Sequence, residues 1–171
     1  MFENIIKNVH NRHPLIHCIT NYVSINDCAN IVLACGGAPI MAEDINEVSQ
    51  ITSICQGLDI NIGMLNDNKL SSMLKAGATA NELGIPVILD PVGAGSSDYR
   101  IKAVQNLMSN VQFGVIRGNV SEIKAIAAKQ GIHNIAAGVY ETMQKNKSAM
   151  GVEAGIADKI TDDNIKEMAD F

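Results

Sequence analysis

Val87-Ile88-Leu89-Asp90-Pro91-Val92-Gly93-Ala94-Gly95 and, further on, Val115-Ile116-Arg117-Gly118-Asn119-Val120-Ser121-Glu122 are the two stretches on which the fold turns. Each opens with an apolar run of the kind that forms a buried parallel strand, and each leaves that strand on a charged residue just before a helix. In the first corner Asp90 stands at the strand end and Pro91 fixes the exit of the chain. Two glycines follow that can turn backbone N–H groups toward an anion, ahead of a positive helix N-terminus. A carboxylate beside an anion cradle suits a magnesium–phosphate site; the plainer alternative is a βα turn with Asp90 as a cap. In the second corner Arg117 can grip phosphate oxygens with its planar fork. Asn119 and Glu122 can order water around a hard cation, or simply form a capping box at a helix start. Because the corners belong to successive βα units, Asp90, Arg117 and Glu122 are expected at one sheet edge. That conjunction favours phosphate and magnesium, the metal neutralising phosphate charge during transfer.

Outward from these corners the same alternation continues. Strands are expected at 15–19, 38–41, 58–62, 87–89 and 113–116. Helices are expected at 25–35, 47–55, 68–83, 101–108 and 121–128, with Gly36-Gly37 and Gly84 as stops. Ser96, Ser97 or Asp98 would cap the fourth of these helices. Alternating strand and helix predicts an α/β fold with a parallel sheet and helices on both faces. Ligands of such sheets bind beyond the carboxyl ends of the strands. From about Gln130 the pattern weakens: 143–147 is polar, 151–155 is loop-like, and 162–171 reads as a helix capped by Thr161 or Asp162. No buried strand is expected after Ile116.

A chain of 171 residues predicts a single domain, spanning 1–171. With 47% apolar residues, 18% charged residues and no Trp, its core must be aliphatic. A net charge of -5 without a dense basic patch argues against nucleic acid. The polar N-terminus does not read as a signal peptide, and no apolar run nears the roughly 20 residues of a membrane span. Cys18, Cys28, Cys35 and Cys55 lack C-x-x-C spacing, so each reads as a buried reduced thiol rather than a zinc or redox site. Together these features predict a cytoplasmic location.

His17-Cys18-Ile19-Thr20-Asn21 leaves the first strand toward the same edge. Thr20 and Asn21 can bind a ligand or cap the next helix. His17, inside an apolar run, reads as a core or interface histidine, and His10, His13 and His133 as surface residues. Met41, at a strand end, can line an apolar pocket or the core.

The segments at 13–21, 38–42, 61–63, 86–95 and 116–123 together closely resemble hydroxyethylthiazole kinase, a thiamine-salvage family of the ribokinase-like superfamily, over residues 12 to 126. The resemblance implies a ribokinase-like fold and ATP- and magnesium-dependent phosphorylation of 4-methyl-5-(2-hydroxyethyl)thiazole. It further implies that Met41 and Asn21 bind substrate, that Arg117 binds ATP, and that Asp90 and Glu122 lie near magnesium and phosphate. It also implies a homotrimer with thiazole sites between subunits. Family chains are longer. Their later part carries a nucleotide-binding Thr-Gly segment and a glycine-rich anion hole with a Cys or Asp that helps deprotonate the alcohol. Neither occurs here, and no cysteine of this chain fits that role, so the base is unassigned and a C-terminally truncated fold is expected. The match fades after Ile126, crosses inserted-looking sequence at 133–150 and returns faintly at 151–155. The alternatives are an inactive remnant or a binding or oligomerising subunit, and a related kinase acting on a pyrimidine alcohol.

Overall fold

The computed structural model describes residues 2–129. Five strands, β1 (Leu15–Ile19), β2 (Ala38–Ile40), β3 (Gly57–Asn61), β4 (Val87–Asp90) and β5 (Val115–Ile116), form one sheet in the order β2-β1-β3-β4-β5. Every pairing is parallel. The helices are α1 (Phe2–Arg12), α2 (Ile25–Ala34), α3 (Val48–Ile54), α4 (Asp67–Glu82), α5 (Asp98–Asn110) and α6 (Val120–Lys129). The expected α/β architecture is therefore present. The expected helix at 162–171, the polar stretch at 143–147 and the loop-like stretch at 151–155 lie outside the described residues.

The chain divides into two compact units. Among the described residues, one comprises residues 2–90 with Asn106–Arg117 and holds the sheet; the other comprises Pro91–Gln105 and residues 118–129.

In the first unit the chain steps from β1 outward to β2, then back across β1 to β3 and onward to β4 and β5. Right-handed crossovers consequently place α2 on one face and α3 and α4 on the other. The α3/α4 face carries His17, Ile19, Leu58, Ile60, Val87 and Leu89, all buried. Helix α4 answers it with Met73, Ala76 and Ala80, a stripe at helical spacing. Gly77 belongs to that stripe for a steric reason: a Cβ there would lie 2.5 Å from a Val111 methyl. The opposite face is open over β4 and β5, where Ile88 is 40% and Val115 52% exposed. The expectation that 87–89 is buried throughout is thus corrected at Ile88, because among the described residues the only helix that a crossover places on this face, α2, packs at β2.

Local signals explain most boundaries. Helix α2 is stopped by Gly36, whose φ of 92° is costly for any residue with a Cβ. Helix α4 starts at Asn66, whose side chain accepts the Lys69 N–H at 2.9 Å. In the second unit Ser97 caps α5 through the Arg100 N–H. Helix α1 was not legible as an element, since its charged composition hides its apolar stripe. One cysteine expectation is corrected as well. All four thiols are free, yet Cys35 is exposed and Cys28 only half-buried, because they sit on and just after α2, which buries no residue.

Candidate functional site at the strand ends

In a sheet of this order the chain departs in opposite directions from β1 and β3, leaving a crevice at their carboxyl ends. Asn21 and Asn61 stand on its two sides. The Asn21 amide nitrogen donates to Asn61 Oδ1 at 3.2 Å, and Asn21 Oδ1 accepts from the Ser24 backbone and hydroxyl, each at 3.0 Å. The expected capping role is corrected for Asn21: Ser24 stands at the N-cap of α2, and Asn21 instead closes the turn onto Ser24 while its amide spans the crevice.

Asn61 is the hub. Its Oδ1 accepts the Gly63 N–H at 2.8 Å, which fixes the amide so that Nδ2 donates to Asp90 Oδ2 at 2.9 Å. The same Asp90 oxygen takes Arg117 Nη1 at 3.3 Å. The parallel register pairs Asn61 with Asp90, so both leave the sheet at one level. Backbone bonds beyond the strands hold that level: Ile62 N–H to Asp90 O at 3.1 Å and Arg117 N–H to Leu89 O at 2.8 Å. A continuous row, Ser24–Asn21–Asn61–Asp90–Arg117, thus runs along the carboxyl ends of β1, β3, β4 and β5. Arg117 is held by one nitrogen while its side chain is 78% exposed, leaving most of the guanidinium facing solvent.

Asp59 lies beneath this row on the open face of β3, opposite Cys18 on β1 and Ile88 on β4. Burial and the Asp90 charge push its carboxyl up to about 6, against a smaller opposing pull from Arg117. His17 is fully buried on the other face. Its Nε2–H donates to Ala42 O at 2.8 Å and its Nδ1 accepts from the Thr52 hydroxyl at 2.9 Å. Burial keeps it neutral by lowering its pKa. It is a core residue, as expected, and it anchors the segment that carries Met41, which lies half-buried just past β2.

The second unit contains Glu122 and the glycine loop. Glu122 Oε2 accepts the Asn119 N–H at 2.8 Å while Asn119 Oδ1 accepts the Glu122 N–H at 3.0 Å, a reciprocal capping box. The other Glu122 oxygen takes the Gly93 N–H at 2.9 Å. The remaining turns of the loop close on themselves, Ala94 N–H to Pro91 O and Ser96 N–H to Gly93 O, and Arg100 holds Val92 O at 2.9 Å. The expected anion cradle is thereby corrected at Gly93: its N–H serves Glu122. Asp90 and Arg117 are brought together; Glu122 is engaged with its own loop.

The sequence profile of the Hydroxyethylthiazole kinase family matches residues 6–162. The chain belongs to the hydroxyethylthiazole kinase family. It is 52% identical over 171 residues to a hydroxyethylthiazole kinase of Clostridium acetobutylicum, covering all of this chain and 57% of that protein. It is 58% identical over 124 residues to one of Alkaliphilus metalliredigens, covering 72% of this chain and 46% of the other. The solved structure of the hydroxyethylthiazole kinase protein of Pyrococcus horikoshii OT3 superposes with a TM-score of 0.73 at 38% identity, over 82% of this chain and 53% of that one. The chain therefore spans about half the length of the curated relatives it matches.

The sequence carries no functional signal at Asn61, Asp59, Lys69 or Glu43. Asn61 belongs to the 61–63 segment, but its side-chain partners are 29 and 40 residues away, so no spacing marks it. Among the described residues no three His, Cys, Asp or Glu side chains cluster as a metal cage, and no helix is long and apolar enough to cross a membrane.

Asp59 gives a pH test. Its folded pKa is raised above the unfolded value, so the native state binds the extra proton, and its cost appears as pH rises from about 4 to about 6 and is complete above that. Asp59→Asn should stabilise the chain by roughly 1–3 kcal/mol at pH 7.5, with the gain shrinking toward pH 4.5. Urea midpoints at the two pH values measure this; a gain independent of pH would remove the strained carboxylate.

Proposed function

We propose that this chain forms the sheet-bearing part of a kinase that transfers the γ-phosphate of ATP to the hydroxyethyl arm of 4-methyl-5-(2-hydroxyethyl)thiazole. The observation that carries the reading is Arg117, tethered to Asp90 by one nitrogen with the rest of its fork exposed at a strand end. Such an arginine is oriented without being neutralised by a second partner, and a phosphate can take the remaining donors. Membership of a family named for this kinase supports the substrate class.

Asn21 and Met41 are assigned to the alcohol side, at the exits of β1 and β2. Asp90 suits a magnesium ion that arrives with phosphates, since such an ion needs only one or two carboxylates and keeps several waters. Asp90 would hold it, and it would supply neutralisation of phosphate charge. Arg117 stabilises charge on the transferred group, and the fixed Asn61 amide holds the Asp90 carboxylate turned toward Arg117. The residue that takes the alcohol proton is left unassigned.

A second reading, a thiazole-binding or oligomerising unit without phosphoryl transfer, is favoured by one observation. The glycine loop spends its Gly93, Ala94 and Ser96 N–H groups internally.

The homotrimer rests on the family resemblance, and helix α2 supports self-association. It carries Ile25, Ile31, Val32 and Leu33 yet buries no residue, and it flanks β2, an edge strand of the described sheet. Ile31 and Leu33 are more than half exposed. A second copy covering this surface would remove an apolar patch from water.

Transfer of labelled γ-phosphate from ATP to the thiazole alcohol by the full chain tests the reading. Transfer above a no-protein control is expected; thiazole binding without transfer would favour the second reading. Arg117→Ala should weaken ATP binding by about tenfold or more, as loss of a charged hydrogen bond does, with thiazole affinity retained. Equal loss of both ligands in calorimetry would make Arg117 structural. Light scattering should give three times the monomer mass, and Ile31→Asp should lower it; a wild-type monomer would contradict the trimer.

A further inference from the structure

Lys69 is buried to 4% exposure in the first turn of α4, with its backbone N–H already given to the Asn66 cap. A cation there is doubly disfavoured, by desolvation and by the positive end of the helix dipole. Three partners from two other parts of the chain offset this. Lys69 Nζ donates to the Thr20 carbonyl, meets Glu43 Oε2 at 2.8 Å, and lies 4.7 Å from the centre of the Tyr22 ring. The Tyr22 hydroxyl donates to the other Glu43 oxygen, closing a ring of contacts. Burial pushes the Glu43 carboxyl up, but the bonds from Lys69 and Tyr22 bring it net below its usual value, so Glu43 faces the lysine as a carboxylate.

The placement of the partners gives the cluster its meaning. Thr20 and Tyr22 flank Asn21 at the exit of β1, and Glu43 lies two residues beyond Met41 at the exit of β2. A chain with an aliphatic core retains a lysine at this point although an apolar residue would bury more cheaply. What the lysine adds is direction: its three contacts fix two loops against one helix. We propose that Lys69 is a positioning residue that clamps the Asn21 and Met41 loops to α4 and so sets the width of the alcohol-binding side of the site. The assignment of that side to a thiazole alcohol rests on the functional reading above; the clamp itself does not.

The test uses the full chain and Lys69→Met, which keeps the length of the side chain and removes its charge and donors. Without ligand, hydrogen exchange at residues 20–24 and 42–46 should rise together, with exchange near Arg117 unchanged. By calorimetry, the Kd for 4-methyl-5-(2-hydroxyethyl)thiazole should rise about tenfold while that for a non-hydrolysable ATP analogue stays within about twofold. A uniform rise in exchange with equal loss of both ligands would reduce Lys69 to a general stability role and overturn the proposal. Unchanged exchange in the two loops would also overturn it. If the wild type binds neither ligand, the kinase reading fails and the exchange result alone decides the clamp. Should Lys69→Met not fold, Glu43→Gln removes the facing charge at constant size. It should loosen the same two loops, and unchanged exchange there overturns the clamp.

Discussion

The hydrogen bond from Asn61 to Asp90 is the constraint on which the strand-end site depends. Two short polar side chains at paired positions of adjacent parallel strands would both be carboxylates at great cost, and both be amides without charge for Arg117 to meet. One amide and one carboxylate solve the problem. Gly63 fixes which end of the amide points at Asp90, and Asn21 reads the other end. Remove the amide and Asp90 loses one of the donors that orient it, and Asn21 loses its acceptor.

The second unit obeys a separate local logic. Glu122 gives one oxygen to the Asn119 N–H that starts α6 and the other to Gly93, so a single side chain caps a helix and closes the glycine loop. This is why a motif that reads as an anion cradle has its Gly93 N–H already committed. The same side chain that suggested a metal ligand in sequence is, in structure, the clasp of that loop.

Much of the fold was legible because its signals are local. β1 is found at its expected bounds, and the stops at Gly36 and Gly84 follow from the helical patterns that precede them. The parallel sheet followed from alternation alone. What was not legible depended on partners distant in sequence. The openness of Ile88 follows from strand order rather than from the apolar run it sits in. Asp59 and Lys69 resemble ordinary surface charges until the topology brings Asp90 to one and Thr20 and Glu43 to the other. In the site, Asp90 and Arg117 were read as neighbours, and they are. The capping alternative at Asn119 and Glu122 was also visible, and it is the geometry adopted. Asn61 is hidden for the same reason: it stands in a short motif with Gly63, but the side chains it joins, Asn21 and Asp90, lie 40 and 29 residues away.

The most direct measurement is a pair of calorimetric titrations of Asn61→Asp, with magnesium–ATP and with the thiazole alcohol, at pH 7.5. The substitution keeps size and shape but sets an acceptor against Asp90. If the row from Asn21 to Arg117 organises the site, both affinities should fall by about tenfold or more in a variant that still unfolds cooperatively. Wild-type affinity for both ligands in that folded variant would contradict the claim.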